Sequence, residues 1–212
     1  MSDRYTSLAA LKRAQRKGRD YRIRYRDRGS LVTIVAPHGG YIEPGTSAIA
    51  RAIADQEYNY FDFQGLQRAR ARELHVTATN FRDPLLNRLL KASDTAVAIH
   101  GMGATGHTAI WLGGLNLPLK LLTLLRLQQA GFSVNPDSPR YRGESPRNLV
   151  NLPRRQGVQL ELPDELTELL FASRQKFTVQ GRCPTTTARF DDLVSVVRRA
   201  IGDYLQRLDL QS

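Results

Sequence analysis

The chain has 212 residues, 41% of them hydrophobic and 24% charged, with a single cysteine. That supplies apolar material for one core, which excludes a disordered chain, a disulfide framework and a Cys-rich zinc module. Thirty-one Lys and Arg oppose twenty Asp and Glu, a formal charge of +11, which favours a polyanionic partner (nucleic acid, an acidic membrane surface or an acidic polymer) without choosing among them.

Lysine occurs only at positions 12, 17, 91, 120 and 176. The positive charge is therefore mostly guanidinium, a fork that fits carboxylate or phosphate bidentately. The apolar runs are too short for a membrane span, and residues 1–7 offer no apolar leader. The expectation is one catalytic domain over residues 1–212, made in a reducing cytoplasm, with cell lysis as a route of release and no membrane partner.

Along the chain, Leu8 to Gln15 has helical spacing. Arg19 to Arg26 alternates Arg with Tyr or Ile, the period-2 pattern of an edge strand with one wet face. Leu31 to Ala36 is a β-branched run suited to a strand buried on both faces. A helix follows over Pro44 to Ala54, then short strands at Tyr58 to Phe63 and Glu73 to Thr77. Pro84 to Ala92 reads as a helix, Thr95 to Ile99 and Thr108 to Leu112 as strands, and Leu115 to Ala130 as a helix closed by Gly131. Asn135 to Arg155 is a long polar loop, a length that is more often functional than filler. Gly157 to Leu162 is a strand, followed by a helix from Pro163 and an amphipathic helix over Phe190 to Leu208. This alternation predicts a three-layer α/β/α fold around a mixed, mostly parallel sheet.

Ligands of such sheets bind beyond the carboxyl ends of the strands. His38 and His100 each follow a predicted buried strand and precede glycine. Glu43 follows His38 at the start of the next helix. Two imidazoles and one carboxylate form a donor set that holds zinc tetrahedrally with one position open, and zinc would activate water there. A separate acid must then take the proton, and Glu161 alternates away from the apolar side of its strand. Each residue also has a plainer role: a hydrogen-bonded histidine, a helix-capping Glu43, an exposed Glu161. His107 competes with His100 as a ligand. His75 reads foremost as a packed histidine, and otherwise as a partner that orients a ligand.

The segment Val35-Ala36-Pro37-His38-Gly39-Gly40-Tyr41-Ile42-Glu43-Pro44-Gly45-Thr46-Ser47 resembles the signature of the poly-γ-glutamate hydrolase family of phages and bacteria. Leu74-His75-Val76-Thr77, Ala98-Ile99-His100-Gly101, Gly113-Gly114, Gly131-Phe132 and Gly157 to Leu162 match in order. The resemblance implies a zinc-carboxypeptidase-like fold, Zn2+ bound by His38, Glu43 and His100, and Glu161 as general base. It also implies a polyanionic substrate of γ-linked glutamates, each keeping a free α-carboxylate. An arginine should hold that carboxylate, with Arg82, Arg147, Arg154 and Arg155 as candidates and the 135–155 loop as the favoured source.

Two other readings remain. One keeps zinc but takes a peptide C-terminus or an N-acyl amino acid. The other is a nucleic-acid-binding protein using the basic stretch from Lys12 to Arg28, whose plainer role is a charged edge strand that resists edge pairing. Residues 101–106 spell GxGxxG, but the segment after them reads as a strand rather than the helix a dinucleotide site requires.

Overall fold

The computed structural model describes residues 3–136, 142–173, 175–177 and 183–210. Residues 137–141 of the loop expected at 135–155 lie outside that set. The strands are β1 (Tyr21–Arg26), β2 (Val32–Gly40), β3 (Asn59–Gly65), β4 (Thr95–Gly101), β5 (Ile110–Gly113), β6 (Val134–Asn135) and β7 (Gly157–Leu162). They form one sheet in the order β1-β3-β2-β4-β7-β5-β6. β1 against β3 and β5 against β7 are antiparallel, and the other pairs are parallel.

The helices are α1 (Leu8–Ala14), α2 (Thr46–Ala54), α3 (Pro84–Ala92), α4 (Leu117–Gln129), α5 (Asp164–Leu170) and α6 (Ala188–Asp209). Apolar faces of α2, α4, α5 and α6 pack on one side of the sheet against Ile34, Val97, Ile99, Val158 and Leu160. On the other side α1, α3 and a 3-10 helix at Arg68–Leu74 cover Val35, Phe61, Phe63, Ala96 and Ala98. Side chains of a strand alternate between faces, and both faces are covered here. That is why all nine residues of β2 and all six of β7 are buried, as parallel central strands require.

β1 is the edge strand that its Arg/Tyr alternation suggests, buried at Tyr21 and exposed at Tyr25 and Arg26. The strand expected at Glu73 to Thr77 does not form. Its alternation governs burial instead: Leu74 and Val76 are buried, while His75 is half-buried and Thr77 exposed. The two-residue strand β6, paired with β5, is too short to announce itself in the sequence.

From β2 the chain passes through α2 to β3 on one flank, whereas β4 lies on the other flank of β2. Connections leaving β2 and β4 therefore diverge and open a crevice at their carboxyl ends, the topological switch point where open α/β sheets bind ligands.

Candidate functional site

His38 and His100 stand on the two sides of that crevice. The pairing of β2 with β3 shifts between Ala36 and Gly39, so that Pro37 and His38 share the space of one residue. This bulge bends the strand end and re-aims the His38 side chain. The turn after it closes with the Glu43 N–H on the His38 carbonyl, 2.8 Å, and folds Glu43 back over the imidazole.

Beneath the turn, Ser47 at the start of α2 accepts the Gly40 N–H at 2.9 Å and donates to Asp62 of β3 at 2.9 Å. Tyr60 and Gln64 donate to the same carboxylate. Gly39 must lack a side chain here: a Cβ would stand 2.1 Å from Asp62 Oδ1 and 2.2 Å from Ser47 Oγ. Burial raises the Asp62 pKa to about 6 against the opposing hydrogen bonds.

Both ring nitrogens of His38 meet acceptors. Nε2 lies 2.9 Å from the Val76 carbonyl, and Nδ1 lies 2.9 Å from Glu43 Oε1. The Nε2–H donates to the carbonyl, which leaves Nδ1 turned to the Glu43 carboxylate, where a cation between the two would suit both. His100 Nδ1 lies 3.7 Å from the other Glu43 oxygen, beyond hydrogen-bond reach. Its Nε2 is buried with no partner among the described residues. The His38 and His100 rings stand 5.1 Å apart. The Gly101 N–H holds Glu43 Oε2 at 2.9 Å. Burial would raise the pKa of Glu43, but His38 and His100 outweigh it and keep the carboxyl well below its usual range.

Glu161 pairs laterally with His100, and Trp111 pairs with Glu161, so the three stand in a row across β4, β7 and β5. Glu161 is 6% exposed. Burial raises its pKa to about 7, with help from Glu43 and against His100 and His38. For His100 burial acts downward, yet Glu161 and Glu43 raise the pKa to about 9. The Gln159 amide donates to Glu161 Oε1 at 2.9 Å, and Asn148 donates to Gln159 at 3.0 Å.

His75 also joins the cluster. Its ring lies 4.1 Å from that of His38, and its Nε2 lies 3.9 Å from Glu43 Oε1. Donor atoms of His38, Glu43 and His75 all lie within 4.8 Å of one another. In the sequence, His75 is marked by the segment Leu74-His75-Val76-Thr77, which resembles the family, and by its reading as a partner that orients a ligand; nothing marks Asp3, which bonds His75 Nδ1 at 2.7 Å. His107 is exposed on the loop after β4, stacked on Trp111 at 6.0 Å.

Arg82 and Arg147 contact each other. Arg82 follows Phe81, whose ring meets His38 edge-on at 6.0 Å, and it donates to the Arg147 carbonyl at 2.6 Å. Arg147 reaches Asn80 at 3.4 Å, and neither guanidinium has an ion-pair partner among the described residues. Arg154 and Arg155 are not brought to the cluster. They sit against Asp94, at 2.5 and 3.9 Å, just before the first residue of β4. His100 is six residues further along that strand, about 20 Å away.

The model of the family described as poly-gamma-glutamate hydrolase matches residues 5–196. The SPbeta prophage-derived UPF0714 protein YoqZ of Bacillus subtilis strain 168 is 32% identical over 206 residues, covering 95% of this chain and 73% of that protein. YndL of the same strain is 32% identical over 184 residues, covering 85% and 71%. A structure of a bacteriophage poly-gamma-glutamate hydrolase superposes with a TM-score of 0.88 at 27% identity, covering 97% of this chain and 99% of that one. Zinc-free YndL gives a TM-score of 0.86 at 29% identity, covering 96% and 99%. N-formylglutamate amidohydrolase from Ralstonia eutropha JMP134 shares the fold, with a TM-score of 0.54 at 11% identity over 89% of this chain and 99% of that one. With nearly the whole chain matched in sequence and in backbone path, this protein belongs to the poly-gamma-glutamate hydrolase family.

Proposed function

We propose that the chain is a zinc-dependent hydrolase that cleaves γ-glutamyl amide bonds in poly-γ-glutamate or a related acidic polymer. The carrying observation is that His38 Nδ1 and His100 Nδ1 both turn to the Glu43 carboxylate, while Glu161 lies beside His100. Acceptors on both nitrogens of His38, and a buried His100 whose Nε2 has no partner among the described residues, fit a cation at the middle of this group. The zinc-free form recorded for YndL supports zinc as that cation.

His38, Glu43 and His100 would hold the ion. Bound there, zinc supplies Lewis-acid polarisation of the scissile carbonyl and a water of lowered pKa. Glu161 supplies the proton traffic. Its Oε1 is occupied by Gln159, which leaves Oε2 to take a proton from the attacking water. The water oxygen joins the amide carbon, the carbon–nitrogen bond breaks, and the same carboxyl returns the proton to the leaving amine. Arg82 and Arg147 would receive the α-carboxylate that each γ-linked unit retains; a guanidinium without an internal acid is free for such a pairing.

Metal analysis and polymer sizing test this reading together. Protein purified without chelator should carry zinc and shorten poly-γ-glutamate, and His38→Ala should lose both properties. Metal-free protein that still shortens the polymer, or zinc-loaded protein that leaves it intact, overturns the assignment.

A further inference from the structure

We propose that His75 is a fourth ligand of the metal centre in its resting state and that Asp3 is the positioning residue that presents it. The proposal rests on the zinc reading above and extends it to residues that the expected ligand set does not contain. Asp3 precedes the residues matched by the family model.

The Asp3 carboxylate accepts from the backbone N–H and the hydroxyl of Thr77, at 2.6 and 2.7 Å, as well as contacting His75 Nδ1 at 2.7 Å. These bonds bracket Val76, whose carbonyl fixes the Nε2–H of His38. One carboxylate thus secures the turn that orients two imidazoles.

With Nδ1–H donated to Asp3, the lone pair of His75 belongs to Nε2. Among the described residues that atom has no hydrogen-bond partner, and it lies 3.9 Å from Glu43 Oε1. Two electron-rich atoms held at this distance, with His38 Nδ1 beside them, describe a cation site rather than a packed histidine. A carboxylate that fixes the far nitrogen of a ligating imidazole is the usual support of such a ligand.

His38, Glu43 and His100 leave one position of a tetrahedral ion open, and a fourth protein ligand would close it. His75 suits a displaceable ligand better than a permanent one. Its side chain is 38% exposed, against 2% for His38 and 6% for His100, and it lies just past the 3-10 helix, outside any strand. The substrate carbonyl or the attacking water would take its place when the polymer enters.

The test is metal affinity by chelator competition, with the visible spectrum of the cobalt-substituted protein as the second readout, on wild type, Asp3→Asn and His75→Ala. Both variants should bind zinc about tenfold or more weakly, and His75→Ala should change the cobalt spectrum, while melting of the metal-free proteins stays at the wild-type temperature. Affinity within twofold of wild type in either variant, or an unchanged cobalt spectrum in His75→Ala, overturns the proposal. If the wild type itself binds no zinc, the underlying zinc reading fails instead, and the two failures are thereby told apart.

Discussion

Glu161 and Asp62 are both buried acids with raised pKa values, yet their surroundings differ. Glu161 borders the crevice and keeps one oxygen outside its contact with Gln159, so it can exchange a proton. Replacing it with Gln should lower kcat by about 10²- to 10⁴-fold while zinc content stays at the wild-type level, measured by steady-state kinetics and metal analysis. Asp62 spends its oxygens on Ser47, Tyr60 and Gln64, which makes it a pillar under the His38 turn. Its folded pKa of about 6 lies above the 3.8 of an ordinary aspartate. The unfolded chain releases that proton first, so rising pH favours unfolding between the two values and has no further effect above the higher one. The wild type should therefore lose up to about 3 kcal/mol relative to Asp62→Asn as pH rises from about 4 to 6. Parallel urea titrations across that window would measure the difference; equal pH profiles would contradict it.

Local chemistry fixes α3. Asp83 accepts the N–H groups of Leu85 and Leu86, Pro84 takes the first turn, and Lys12 of α1 pairs with the same carboxylate. Asp83→Ala should cost about 1–2 kcal/mol, lowering the melting temperature by a few degrees, about 2–4 °C per kcal/mol for a chain of this size, without changing zinc content. Signals this local explain why α3 and β7 can be bounded from sequence alone. They also explain why His38, His100 and Glu161 can be placed near the ends of readable strands, and Glu43 just before the helix that follows the first of them. Where the outcome depends on distant partners, the pattern misleads. The alternation at 73–77 is the same whether a segment pairs in a sheet or only buries every second side chain. The arginines at 154 and 155 share a polar segment with Arg147, but their direction depends on Asp94, sixty residues earlier. The row formed by His100, Glu161 and Trp111 exists only through the β4-β7-β5 order.

The net charge of +11 belongs to the molecule rather than to any one site. It should draw a polyglutamate chain towards the crevice and be screened by salt, whose Debye length is about 10 Å at 0.1 M. Raising ionic strength should lower kcat/KM for the polymer more than for a short γ-glutamyl peptide, and equal slopes for both would assign the charge another purpose. The crevice between β2 and β4 has one more consequence. Its side chains come from β2 and the turn after it, from the stretch at 75–77, and from the ends of β4 and β7, so no continuous fragment of the chain owns the pocket. Uptake of the proposed ion would then wait for the central strands to dock, and during refolding it would time-stamp the completion of the sheet rather than its beginning.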